Sequence, residues 1–139
     1  MIGVTADTNI YISALNFGGT PDKVLDLARR GEIRLSISDN IIDEIEQVLR
    51  SKFRWNEDAI KLAKERIGDF TEHVHPLEVV RVIKEDQTDN RILECAQVAK
   101  SDFIVSGDRH LLRLVEFAES KIVTAGDFLG MFEQQGRTR

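Results

Sequence analysis

Between Glu85 and Leu112 the chain reads EDQTDNRILECAQVAKSDFIVSGDRHLL: an acidic loop, a helix, a buried strand, an acidic turn and the start of a second helix. Ile92, Leu93, Ala96 and Ala99 recur at helical spacing, and Phe103-Ile104-Val105 is a short apolar run of strand type. A helix feeding a strand that feeds another helix is the repeating unit of an open α/β sheet. In such sheets the turn after a strand lies on the edge where ligands bind. Asp108 stands in that turn. Asp89 stands at the helix start, and the helical wheel projects it onto the apolar stripe. It would point over the sheet edge rather than into water.

The unit recurs along the chain. Ile2–Ala6 reads as a buried first strand that delivers Asp7-Thr8-Asn9 at its end, and a short helix follows from Ile10 until Gly18-Gly19 breaks it. Thr20-Pro21 restarts a helix, with Thr20 as N-cap, and Gly31 ends it. Ile33, Leu35 and Ile37 alternate with polar residues as a second strand. Ser38 or Asp39 caps a helix striped by Ile41, Ile42, Ile45, Val48 and Leu49. Glu44 falls at the margin of that stripe. Asn56 caps a further helix, and Val79-Val80 and Val82-Ile83 suggest an extended segment. Ile122-Val123 is a last strand, and Phe128 to Phe132 a terminal helix. The expectation is a three-layer α/β/α sandwich around a central, mostly parallel sheet of about five short strands, in one domain over residues 1–139.

A chain of 139 residues fits one domain and can bury a sizeable core. Its net charge of −5 lacks the basic footprint of a passive nucleic-acid binder. It leaves room for an enzyme that meets phosphates through metal ions held by carboxylates. No apolar run approaches the ~20 residues of a membrane span, and no secretion signal precedes the first strand. The single cysteine, Cys95, reads as core packing in a cytoplasmic protein.

Asp7, Glu44, Asp89 and Asp108 can all reach the C-terminal edge of one parallel sheet. Each alone has a plainer reading: an aspartate at a helix start is mostly a cap, and Glu44 a solvated flank. Together they raise one another's pKa values and need compensation. A hard divalent cation with oxygen ligands, Mg²⁺ or Mn²⁺, supplies it.

Asp7-Thr8-Asn9 comes first, then Glu44 with Val48-Leu49 and Lys52-Phe53. Asp86-Gln87-Thr88-Asp89-Asn90 precedes Ile92–Ala96, and Ser106-Gly107-Asp108 precedes Leu111-Leu112. In this order the motifs resemble those of the PIN-domain family, close to its prokaryotic toxin components of toxin–antitoxin systems. The resemblance covers nearly the whole chain. It departs where Gln87-Thr88 replaces the proline and acid often found before the third acid. It implies a metal-dependent endoribonuclease that cleaves single-stranded RNA by in-line attack of metal-activated water, leaving a 3′-hydroxyl and a 5′-phosphate. Asp7, Glu44, Asp89 and Asp108 would be the catalytic, metal-holding set. Thr8, Asn9, Asn90 and Ser106 would orient ligands or water, and Asp86 would be an outer ligand. An antitoxin protein and a homodimer are the implied partners, alongside the RNA.

Other residues have two readings. Arg91 and Arg109 adjoin the later acids and would meet substrate phosphates or neutralise the cluster. Arg50, Lys52, Arg54 and Trp55 read first as a cation-favouring helix end with a half-buried Trp. Their second reading is an RNA guide in which Trp55 stacks on bases. His73 and His75, at i, i+2 spacing, read as a metal pair or as exposed strand-end histidines, and the second reading leads because no cysteine or third histidine stands near them in sequence. His110, close after Asp108, reads as a group acting near the reaction or as a surface residue, and the surface reading leads because the mechanism needs no histidine. Among other classes, a receiver-type phosphoacceptor domain wants adjacent acids after the first strand and a late lysine, which Asp7-Thr8-Asn9 and Val123-Thr124 do not supply. An Asp-x-Asp phosphatase fails at Asn9. A catalytically inactive PIN fold serving as a binding or assembly module is the remaining alternative, and the presence of all four acids argues against it.

Overall fold

The computed structural model describes residues 1–137. Its strands are β1 (Gly3–Ala6), β2 (Arg34–Ile37), β3 (Thr71–His73), β4 (Phe103–Val105), β5 (Glu116–Phe117) and β6 (Ser120–Val123), in the sheet order β3-β2-β1-β4-β6-β5. All neighbours pair in parallel except β5, which runs antiparallel to β6. The helices are α1 (Thr8–Phe17), α2 (Gly19–Arg29), α3 (Asp39–Ser51), α4 (Glu57–Phe70), α5 (Gln87–Ala99), α6 (Arg109–Leu114) and α7 (Ala125–Arg137). This is the expected mostly parallel α/β sandwich, with six strands instead of about five. The extra one is the two-residue β5, which follows a turn at Val115, where φ is +68°.

Chain order sets the layers. From β1 to β3 the chain moves outward in one direction; from β3 to β4 it returns past β1 to the other side. Right-handed crossovers therefore put the helices of the first leg and α5 on opposite faces. Leu35, Ile37, Leu93, Ile104 and Val105, each at most 1% exposed, fill the core between sheet and helices. The strand order reverses between β1 and β4, which is where an open α/β sheet leaves its ligand crevice.

Local chemistry ends the elements as expected at several points. Ser38 caps α3 by accepting from the Ile41 N–H, and Asn56 caps α4 by accepting from Ala59. The expected cap at Thr20 is absent: α2 already starts at Gly19, after Gly18 at φ +70° has turned the chain out of α1. Cys95 is fully buried, and burial pushes its thiol up to about 11, so it packs as an inert apolar group.

The segment 79–83, expected to be extended, forms no strand. Its backbone bonds go to side chains of α5 instead. Asn90 Oδ1 accepts from the N–H groups of Val82 (3.1 Å) and Ile83 (2.8 Å), and its Nδ2 donates to Ile83 O at 2.7 Å. Glu94 accepts from the Val80 N–H at 2.9 Å, and Arg91 donates to Val80 O at 3.2 Å. The third strand lies earlier, at Thr71–His73. No described helix is long and apolar enough to cross a membrane.

Candidate active site

Sheet register brings the acids together. Ala6 pairs with Val105 across β1 and β4, so Asp7 and Ser106 emerge level with each other. The Asp7 N–H donates to Val105 O at 2.9 Å, and Ser106 Oγ donates to Asp7 Oδ2 at 2.6 Å. The same Ser106 hydroxyl accepts from the Asp108 N–H at 2.9 Å, so one serine joins the first and last acids. Asp7 also caps α1 through Asn9 N–H, and Asp108 caps α6 through His110 N–H at 2.7 Å and Leu111 N–H at 3.3 Å.

Asp89 does not cap its helix. Asp86 does, accepting from the Thr88 N–H at 3.0 Å and from its hydroxyl at 2.6 Å. Asp89 stands three residues further on, only 5% exposed, on the face turned to the sheet edge. Its Oδ2 is buried without a hydrogen-bond partner, and so is His110 Nδ1. His110 Nδ1 lies 3.9 Å from Asp89 Oδ2 and 3.7 Å from Asp108 Oδ1. His110 is therefore a member of the cluster and not the surface residue its sequence position suggested. The helical turn that begins at Asp108 folds its ring back over the acids.

The electrostatics link the carboxyls. Burial raises Asp7, while the bonds from Ser106 and Asn9 pull it down and the charges of Asp108 and Asp86 push it up. Glu44 is raised by burial and then by Asp7 and Asp86; the Thr8 hydroxyl only partly offsets this, without forming a hydrogen bond of normal length. Asp89 is pushed up to about 7, first by burial, then by the charges of Asp108, Asp86 and Asp7, and by a contact with Asp108 that favours the protonated form. Asp7, Glu44, Asp86, Asp89 and Asp108 thus share one field.

A carboxyl raised in the folded state stabilises the fold below its unfolded pKa and loses that contribution as pH rises through its folded value. For Asp89 the loss spans pH about 4 to 7. Thermal denaturation of metal-free protein should accordingly show Tm falling over that window. Asp89→Asn should flatten the slope and raise Tm at pH 7.5, and an unchanged slope would refute the coupling.

The remaining residues divide. Thr8 is buried beside Asp7, while Asn9 is exposed and contributes its N–H. Asn90 is spent on the 79–83 segment and is not free to orient a ligand or water. Arg91 is likewise committed, pairing with Glu94 at 3.0 Å and with Val80 O. Arg109 remains exposed next to Asp108. Trp55 Nε1 donates to Asn16 Oδ1 at 3.1 Å, near the end of α1 opposite Asp7. Eight residues of helix separate Asn16 from Thr8, about 12 Å of rise. Trp55 and Arg54 therefore sit away from the acids, and Arg50 pairs with Glu57 at 2.6 Å.

A donor set rich in carboxylate oxygen, with a buried carboxylate oxygen left unpaired, fits a hard divalent cation. One ligand atom each from Asp89, Asp108 and His110 lies within 4.8 Å of the others.

Fold and site together define an α/β protein with an acidic centre at the switch point of a parallel sheet. Residues 4–110 match the PIN-domain family, and the chain belongs to that family, whose members are generally nucleases. Among solved structures it is similar to a chain of VapBC2 from Rickettsia felis, crystallised bound to a DNA fragment from their promoter. The TM-score is 0.63 at 14% identity, covering 88% of this chain and 98% of that one. No curated protein sequence matches significantly.

Proposed function

We propose that this chain is a metal-dependent endoribonuclease that cleaves single-stranded RNA and serves, in the cytoplasm, as the toxin of a toxin–antitoxin pair, as a homodimer. The observation that carries the nuclease reading is geometric: Ser106 joins Asp7 to Asp108, and beside them Asp89 Oδ2 is buried with no hydrogen-bond partner; burial and the neighbouring acids push Asp7, Glu44 and Asp89 up. Buried like charges destabilise a fold, and perturbed acids in a crevice are what a functional site requires. The toxin reading, and the antitoxin and dimer with it, rest on the motif resemblance.

Asp7, Asp89, Asp108 and His110 would hold Mg²⁺ or Mn²⁺, with Asp86 further out. Such an ion lowers the pKa of water and stabilises the charge that develops on a phosphodiester. The chain's own groups do the rest. Ser106 fixes the Asp7 carboxylate by its 2.6 Å bond. Glu44, raised by burial and its acidic neighbours, is suited to take a proton onto its carboxylate from the attacking water. Arg109, exposed next to Asp108, would meet a phosphate oxygen.

Incubation of the purified protein with a single-stranded RNA of mixed sequence should yield 5′-phosphate ends in Mg²⁺ or Mn²⁺ and none in excess chelator, with activity restored on metal return. Cleavage that continues in chelator would end the metal-dependent reading. His110→Ala should require roughly 10–100-fold more Mn²⁺ for half-maximal cleavage, the usual cost of losing one supporting group at a metal centre. An unchanged Mn²⁺ requirement would remove His110 from the centre.

A further inference from the structure

His73 and His75 lie on the same sheet edge as the acidic centre but two strands from β1, about 10 Å away by strand spacing. Ile37 is level with His73, and the Val74 N–H donates to Ile37 O at 2.9 Å, so the ladder continues one residue past β3. The extended backbone then puts both histidines on one side, as alternation requires. Their ring centroids are 4.9 Å apart, at an angle of 32°. Asp39, the first residue of α3, brings Oδ1 to 2.7 Å from His73 Nε2. One ligand atom from each of the three lies within 4.8 Å of the others, and all three residues are exposed.

An exposed imidazole–carboxylate contact contributes at most about 1 kcal/mol and gives no reason for a second imidazole stacked beside the first. We propose that Asp39, His73 and His75 form a second metal site that takes a borderline divalent cation, Zn²⁺ foremost. Two imidazoles and one carboxylate are a donor set Zn²⁺ accepts, with water completing a tetrahedron. Mg²⁺, which prefers an oxygen shell, is poorly served by two nitrogens, so the two sites select different ions. Zinc here would tie the chain leaving β3 to the start of α3, the helix that carries Glu44. The site shares no residue with the acidic centre and does not depend on the ribonuclease reading.

The test is Zn²⁺ titration of the intact chain by isothermal calorimetry. Wild type is compared with His73→Ala/His75→Ala and with Asp108→Asn/His110→Ala, which strips donors from the acidic centre. Wild type and the acidic-centre variant should both bind zinc at this site. The histidine variant should lose that equivalent while keeping its far-UV circular dichroism, because the replaced rings are exposed. Zinc binding by the histidine variant with wild-type stoichiometry and affinity would overturn the proposal. So would failure of both wild type and the acidic-centre variant to bind.

Discussion

Asp108→Asn should reduce RNA cleavage by at least about 10²–10³-fold, the scale of losing a preorganised electrostatic group in a reaction centre, without unfolding the protein. Asparagine caps helices about as well as aspartate, so the bonds from His110 and Leu111 N–H survive. Asp7→Asn should behave alike. Its amide oxygen keeps the Asn9 N–H, and Ser106 Oγ can accept from the amide in place of donating to the carboxylate. Asp7 is raised by burial, so replacing it removes a charge the fold holds at a cost. Its Tm without metal should therefore hold or rise at pH 7.5 while activity disappears. A structural role for these acids predicts the opposite, lower Tm with activity reduced only in proportion to unfolding. Initial cleavage rates beside melting curves separate the two.

The second large effect is on stability. Asn90 is fully buried and satisfies three backbone groups of the 79–83 segment. In Asn90→Ala these bonds vanish and the segment's polar groups are left with no partner. At roughly 1 kcal/mol for each lost bond, the destabilisation is about 3 kcal/mol. For a chain of this size that lowers Tm by roughly 10 °C. Thermal or urea denaturation measures it directly. A loss under about 0.5 kcal/mol, the range of ordinary surface substitutions, would mean that the segment is held by something other than Asn90.

These two predictions also mark what was legible in the residues and what was not. Asp7 and Asp108 follow apolar runs that can only be buried strands, and strand ends point to the sheet edge, so their meeting needed no tertiary knowledge. Asp89 was legible from the wheel: a carboxylate on the apolar stripe has to face something other than water, and Asp86 turned out to be the cap. The 79–83 run looked like an extended segment and forms no strand. Its partners, however, are side chains on α5, and a local pattern does not say whether a backbone bonds to a strand or to an asparagine. That same choice removed Asn90 and Arg91 from the expected site. The true third strand, Thr71-Glu72-His73, is three polar residues on a sheet edge and carries little apolar signal. His110 was misread because linear spacing does not show that the first turn of α6 folds its ring back toward Asp89. Arg54 and Trp55 follow a helix whose start, not its end, lies at the reactive edge.

On the proposed reading, Asp7, Asp89 and Asp108, from three separate segments, hold one divalent ion at the β1–β4 edge, where the strand order reverses. The most direct measurement is anomalous diffraction from crystals grown or soaked with Mn²⁺. A peak is expected among the carboxylates of Asp7, Asp89 and Asp108, with Asp89 contributing the Oδ2 that otherwise has no partner. Full Mn²⁺ exposure with no peak among these acids would overturn that reading.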